Sequence, residues 1–385
     1  MNFLSSIFKQ LRLGILLTGA LLVLLQYAAT SQPRKDTRID SLNNVLTKAK
    51  DDTNKVLLLN QLALAYPNFD PNKGYEVSEQ AMALSQNLKW EKGKALSLVG
   101  MGLNEESRAH YIEARNRFLE ARAIAQELED RNFEGRILKN LGITYFNQDN
   151  YPEALKYFFD AEAIEEDLHN ALEMSINLEY TGRIYEAQKN FDKALEYYKR
   201  SYGNAMKAGE NKAKVKNLMN IGEVYLAMGK SNEAMSYFEQ TLSGFRALND
   251  QSGIAVSLAY ISEADAQLHN YGEALSRQKE ALDIYIAYAD RFNIATVMGN
   301  YAKTYLAINA DTSGAVIPDS LKDKAQNLKK AFSFLEMTIG LCKEISYLEG
   351  LSNSYQLRSL ANEQAGNHKE ALNDFKEYIS LRDSI

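Results

Sequence analysis

The sequence is poor in the residues that break helices and in those that most often carry chemistry. Its 385 residues include 5 prolines, four histidines and one tryptophan. Proline and glycine both disfavour helix interiors, so scarce proline and a moderate 21 glycines favour a helical chain. The only cysteine, Cys342, excludes an internal disulfide and makes no metal site by itself.

The N-terminus has the pattern of a secretory signal peptide. Lys9 and Arg12 precede an uncharged stretch from Leu13 to Leu25, and Ala29 and Ser31 are small residues at the positions read by a signal peptidase. A spanning helix needs about 20 apolar residues, more than this stretch supplies. We therefore expect residues 1–31 to be removed after Ser31 and the protein to be periplasmic. The alternative is an uncleaved inner-membrane anchor with the remaining chain in the periplasm.

The charge of the chain argues against nucleic acid as the partner. Removal of residues 1–31 leaves 42 basic and 50 acidic residues, a net charge of −8. A nucleic-acid-binding surface is normally basic. No small-molecule substrate is indicated either.

An internal repeat organises the chain with a period of 40 residues. Glycines fall one period apart, at Gly102, Gly142, Gly182 and Gly222. Small residues follow each glycine by twelve, at Ala114, Ala154, Ala194 and Ala234. Aromatic residues come four later, at Phe118, Phe158, Tyr198 and Phe238. Two antiparallel helices pack closely where each has a small residue, so the pattern predicts helical hairpins.

These landmarks resemble the tetratricopeptide repeat, with small-x-x-Tyr followed by Ala-x-x-x-aromatic-x-x-Ala. The resemblance covers residues 54–385 and implies an all-α, right-handed superhelix (α-solenoid) of about eight hairpins. The usual repeat has 34 residues, so a period of 40 implies lengthened helices. The resemblance also implies a concave groove that holds a peptide or protein, with no catalytic residue, metal or cofactor.

Departures from the repeat set the predicted boundaries. Ser262 and Asp265 replace the glycine and tyrosine of the sixth hairpin, which predicts looser packing there. The register slips by 17 residues after Tyr305. We therefore predict a capping helix in 32–53, repeats in 54–308, an insert loop in 309–328 and the last repeats in 329–385.

No constellation of catalytic residues emerges from the sequence. The histidines (His110, His169, His269 and His368) are scattered by the repeat, and no two share a helical face. The acidic run Glu165–Asp167 is predicted to be a solvated helix end. The 23 tyrosines coincide with repeat landmarks, which indicates core packing.

One strip on the first helices is the candidate site. Asn140, Asn220 and Asn300 lie two residues before the small landmark, and Tyr180 and Tyr260 alternate with them. In tetratricopeptide families this strip faces the groove, where an asparagine amide pairs with the backbone of an extended peptide. The alternative is asparagine tolerated on a polar helix face. The predicted peptide-binding groove comprises Asn140, Asn220, Asn300, Tyr180, Lys139 and Arg183.

The charges near this strip change sign along the chain. Arg136, Lys139 and Arg183 come early, and Glu179, Glu223 and Glu263 come later. Such an arrangement would orient a bound ligand.

We expect a non-catalytic interaction scaffold. The alternative is the periplasmic sensor portion of a larger signalling protein, because the chain resembles exported repeat regions of Bacteroidetes sensors. In those proteins a histidine kinase, cyclase or DNA-binding output follows the repeats. The final helix should turn Ala371, Phe375 and Tyr378 inward and leave Leu372, Ile379 and Ile385 uncovered. That face predicts a homodimer or continuation into a downstream membrane segment.

Overall fold

Residues 37–384 are described by the computed structural model, and in that range the chain is helical without strands. The predicted leader 1–31 and Ile385 lie outside this range. The α-helices are α1 Thr37–Leu46, α2 Thr53–Ala63, α3 Pro71–Asn87, α4 Glu91–Ser107, α5 Tyr111–Glu127, α6 Arg131–Phe146, α7 Tyr151–Asp167, α8 Ala171–Ala187, α9 Phe191–Ala208, α10 Asn211–Ala227, α11 Ser231–Ala247, α12 Gln251–Gln267, α13 Tyr271–Ala287, α14 Arg291–Ala310, α15 Lys324–Glu344, α16 Leu348–Gln364 and α17 His368–Arg382. None of these helices has the length and apolar character of a membrane span.

The helices belong to two compact units. The N-terminal unit ends at Val224 and the C-terminal unit starts at Tyr225, so the division falls inside α10. Hairpins α2–α3, α4–α5, α6–α7 and α8–α9 make up the first unit, and α12–α13, α14–α15 and α16–α17 lie in the second. Within each unit consecutive helices pack together, which confirms the predicted all-α array of hairpins.

The 40-residue repeat consists of two similar halves. From α3 to α14 the first residues of the helices are 71, 91, 111 and so on to 291, a spacing of 20. Most of these helices have 17 residues, as in α4, α5, α7 and α8. This spacing accounts for the lengthened helices that the sequence predicted.

Residues 128–130 show how a linker ends one helix and starts the next. Glu129 has φ +53, the left-handed conformation of a helix C-terminus. The Asp130 N–H then donates to the carbonyl of Ala125 at 2.9 Å. The Asp130 side chain accepts from the Phe133 N–H at 3.1 Å and so caps α6. The same left-handed residue recurs at Lys89, Ala109, Asp149, His169, Lys189, Gly209, Gly229, Asn249, His269 and Ala289.

The repeat glycines are the places where an aromatic ring meets a backbone. A Cβ on Gly142 would lie 2.7 Å from Cε1 of Phe158, and one on Gly182 would lie 2.7 Å from Tyr198. Phe158 and Tyr198 are fully buried. The sequence predicted that glycine would oppose alanine across the hairpin, but the ring itself occupies that space.

A second contact in each hairpin varies in chemistry while keeping its position. Tyr145 stacks on Tyr157 with ring centroids 5.4 Å apart, and Tyr185 stacks on Tyr197 at 5.3 Å. In hairpin α12–α13 the equivalent residues are Asp265 and Arg277, joined by an ion pair of 3.0 Å. The departure noticed in the sequence is thus a substituted contact across the same two helices.

The chain between α14 and α15 forms a loop with a short 3-10 helix, Asp319–Leu321. The α15 helix starts at Lys324, inside the segment that the sequence assigned to the insert, and Asp323 caps it. Asn327 anchors the loop, because its Nδ2 lies 2.7 Å from the carbonyl of Leu321 and 3.0 Å from Asn309 Oδ1.

The two ends of the array differ in how they are covered. At the start, Ile39, Leu42 and Leu46 of α1 pack on the core of α2 and α3. At the end, Ala371 of α17 is buried, but Phe375 is 47% exposed and was wrongly predicted to face inward. Asp374 is buried instead, held by Arg358 and Asn362. Pairing of this helix with a second copy stays a prediction, which sedimentation would test.

Candidate peptide-binding site

The predicted asparagine strip has members with different environments. Asn140 is partly exposed, and the residues described provide no hydrogen-bond partner for its side-chain amide. Asn220 is only 8% exposed, and its Nδ2 has no partner there either. The expectation that these are surface positions is therefore wrong for Asn220. Asn300 lies in the C-terminal unit and lines a cavity.

An aromatic surface surrounds Tyr180 in the N-terminal unit. The Tyr180 ring stacks on Phe158 at 5.4 Å and meets Phe146 edge-on at 5.6 Å. The Arg183 guanidinium lies over Phe146 at 4.7 Å and over Tyr180 at 5.2 Å. The structure thus brings together Tyr180 and Arg183, and it adds Phe146, which the sequence analysis missed. A planar cation on aromatic rings offers a flat surface on which a peptide can lie.

The charges near the strip are neutralised locally. Lys139 and Arg136 both face Glu173, with Arg136 Nε 3.8 Å from its carboxylate. Glu179 pairs with Lys216 at 2.7 Å in the same unit. Because each charge has a neighbour of opposite sign, the predicted basic-to-acidic asymmetry is weaker than the residue types suggest.

Glu165 contradicts the prediction of a solvated acidic run. It is 1% exposed, and both carboxylate oxygens lack hydrogen-bond partners among the described residues. Burial, followed by the nearby charge of Glu173, raises the pKa of Glu165 to about 7. A Cβ on Gly135 would lie 2.4 Å from Glu165 Oε1, so the carboxyl sits directly against α6.

A cavity of about 500 Å³ opens in the C-terminal unit between α12, α13 and α14. Asn300, Glu263, Lys303, Gln278 and Thr304 line it, together with Ala266, Ala307 and Ala310. Thr312 and Ser313 of the loop after α14 form part of its rim.

Paired groups surround the mouth of this cavity. Glu263 and Lys303 form an ion pair of 2.7 Å. His269 Nδ1 lies 2.9 Å from the Tyr271 hydroxyl and 3.1 Å from Asp311 Oδ2. Hydrogen bonds from Ser313 hold the pKa of Asp311 well below its usual range.

Gln278 forms the buried part of the cavity wall. It is 2% exposed, and its Nε2 donates to Thr304 Oγ1 at 2.9 Å. Its Oε1 accepts no hydrogen bond from the described residues. The sequence analysis missed Gln278, although it occupies the place of Phe118, Phe158 and Phe238, and that replacement was the available signal.

Two further features carry no site. A second cavity of about 630 Å³ is lined by Arg246 and Glu280, whose side chains are 57% and 53% exposed. Cys342 is buried, and burial raises the pKa of its thiol to about 11, so it is protonated at neutral pH. Within residues 37–384 no three His, Cys, Asp or Glu side chains cluster as metal ligands would.

Comparison with known proteins agrees with this geometry. A profile described as a tetratricopeptide repeat matches residues 93–167 and 172–247. No curated protein sequence matches the chain.

Several solved structures have a similar fold. The apo form of the quorum sensor NprR from B. thuringiensis is 17% identical, with a TM-score of 0.61 over 90% of this chain and 97% of that one. A STAND signal transduction ATPase with a tetratricopeptide repeat sensor from Pyrococcus horikoshii is 16% identical, with a TM-score of 0.59 over 92% of this chain and 54% of that one. A tetratricopeptide repeat protein from Parabacteroides merdae is 14% identical, with a TM-score of 0.51 over 74% and 93%. At these identities the likeness shows the fold alone.

Proposed function

We propose that this tetratricopeptide repeat protein, matched as such over residues 93–167 and 172–247, is a non-catalytic scaffold that binds an extended segment of another polypeptide along its first helices. The observation that carries the proposal is the uncommitted amide of Asn140, with Asn300 at the equivalent place in the C-terminal unit. An amide can donate to and accept from a peptide backbone without reading side chains, so it suits a strand-like ligand.

The N-terminal unit would contribute a flat surface beside Asn140. Tyr180 and Arg183 would contact ligand side chains, with Phe146 holding the guanidinium in place. Lys139 would act through its pairing with Glu173. Asn220 stays in the proposed set because its Nδ2 lacks a partner, but its burial means that a variant there also perturbs packing.

Panning a phage-displayed library of random peptides on the purified chain tests the proposal. We expect enriched peptides whose affinity falls about fivefold in Asn140→Ala and in Asn300→Ala, because each variant removes one net hydrogen bond. Asn204→Ala is the matched control, since that amide is on a second helix and donates to its own Arg200 carbonyl. Failure to enrich any peptide would overturn the proposal, as would equal losses in all three variants.

We also propose that the protein is exported, with residues 1–31 as its signal peptide. Lys9 and Arg12 ahead of the uncharged stretch support this location. Intact-mass measurement of the protein from its own cells should give a chain that starts at Gln32. A chain that retains residues 1–31 and sediments with membranes would favour the anchored alternative.

A sensor role is the second candidate. The fold is similar to that of a quorum sensor and of a protein with a tetratricopeptide repeat sensor, and both functions need a ligand-binding surface. The genomic sequence downstream of Ile385 distinguishes the candidates. A membrane span followed by a kinase, cyclase or helix-turn-helix would favour the sensor, and an immediate stop codon would favour the scaffold.

A further inference from the structure

The cavity between α12 and α14 exists because two positions of the repeat carry smaller or more polar residues there. Ala266 stands where α4, α6, α8 and α14 have Glu106, Phe146, Glu186 and Leu306. Gln278 stands four residues after Ala274, where the second helices of other hairpins carry a buried aromatic ring. The cavity is therefore specific to this hairpin and is not a general feature of the array.

The orientation of the Gln278 amide is fixed by its neighbours. Thr304 Oγ1 donates its proton to the carbonyl of Asn300 at 2.9 Å. Its oxygen must therefore accept from Gln278, which makes the atom 2.9 Å away Nε2 rather than Oε1. The Gln278 Oε1 acceptor is consequently left without a partner among the described residues of the cavity wall.

The remaining polar groups of the cavity limit what can enter. The carboxylates of Glu263 and Asp311 already face Lys303 and His269. A charged ligand side chain would be desolvated without a free counter-charge. An apolar side chain would seal the Gln278 acceptor away from water without replacing its hydrogen bond.

We propose that this cavity is the anchor pocket for one side chain of the bound peptide and that it selects a carboxamide, asparagine or glutamine; this inference rests on the proposed function. The ligand NH₂ donates to Gln278 Oε1. The ligand carbonyl oxygen accepts from the Asn300 amide, for which the described residues supply no other partner. A volume of about 500 Å³ lies within the range of small-ligand sites and is ample for such a side chain.

The test uses the same phage-displayed library of random peptides, panned on the wild-type chain and on two pocket variants. Gln278→Leu copies Leu335, the fully buried residue at the equivalent place in α15, so the fold has a precedent for it. Ala266→Leu copies Leu306 and fills the cavity. Circular dichroism and thermal unfolding establish that both variants fold.

We expect peptides enriched by the wild type to share an asparagine or glutamine at one position. Replacing that residue with leucine in a synthetic copy should weaken binding by about tenfold or more. Panning on Gln278→Leu should shift that position to apolar residues, and Ala266→Leu should weaken all the wild-type peptides.

The outcomes separate this inference from the proposed function. If the wild type enriches no peptide, the proposed function fails and the anchor pocket fails with it. If peptides are enriched without a fixed carboxamide, or if Gln278→Leu leaves the selected residue unchanged, the pocket is wrong while the scaffold function stands.

Discussion

Single residues in this array are most informative where a charge or a backbone is enclosed. Glu165 is a carboxyl that most of its equivalents replace with a small residue, such as Ala125 and Ala205. Its folded-state pKa of about 7 exceeds the ordinary value of 4.5 because burial disfavours the charged form. The folded state therefore binds the proton more tightly than the unfolded state, and stability is lost as the pH rises from about 4.5 through about 7.

Glu165→Gln should remove that loss. At pH 8 the variant should be more stable than the wild type by up to about 3 kcal/mol, and at pH 4.5 the two should be nearly equal. Urea unfolding at the two pH values measures the difference. Glu129→Gln, at an exposed linker residue, should leave the pH dependence as it is. A constant difference at both pH values would contradict burial of the charge as the cause.

The repeat glycines give a second prediction at this scale. Gly142→Ala should destabilise the chain by about 1–3 kcal/mol, because the new Cβ meets the buried Phe158 ring. Gly203 lies within α9 with nothing within 4 Å of its Cβ position. Gly203→Ala should stabilise by about 0.5–1 kcal/mol through helix propensity. Thermal unfolding of both variants checks the opposite signs, and equal signs would refute the assigned contact.

At the scale of the hairpin, one pair position carries either two rings or two charges. Asp265 is 3% exposed, and burial raises its pKa although Arg277 acts to lower it. Removing one partner of a buried pair leaves an uncompensated charge. The hairpin therefore needs both residues of one kind, whichever kind it is.

Arg277→Tyr alone should cost about 3–5 kcal/mol, and adding Asp265→Tyr should recover most of that by restoring the stacked pair seen at Tyr225–Tyr237. The exposed Arg246–Glu280 pair provides the control, since Arg246→Tyr should change stability by less than about 1 kcal/mol. A double-mutant cycle by chemical denaturation measures the coupling. Additive losses at Asp265 and Arg277 would show that the two positions do not act as a pair.

For the whole molecule, the short range of the contacts is the governing feature. Within each unit a helix packs on the next helix and on the next but one, so stability is a sum of neighbouring interfaces. Gly142→Ala should therefore speed amide exchange in α6, α7 and the adjacent helices while leaving α14–α17 near the wild-type rate. Hydrogen exchange read by mass spectrometry tests this, and a uniform increase along the chain would indicate one global unfolding unit.

The sequence by itself determined the helical array and its register. Glycine, alanine and aromatic landmarks recur because every hairpin solves the same packing problem, so Ala114, Ala154, Ala194 and Phe158 are buried as predicted. The asparagine positions could be identified as equivalent for the same reason. Repetition turns a local pattern into a reliable statement about packing.

Only the tertiary structure decided which polar residues are enclosed. Glu165, Asn220 and Gln278 resemble surface residues in the sequence, yet each is less than a tenth exposed. Their burial depends on how closely neighbouring helices approach, which is set by side chains from helices other than their own. The cavity beside Asn300 arises in the same way, because it depends on Ala266 and Gln278 being brought together across three helices.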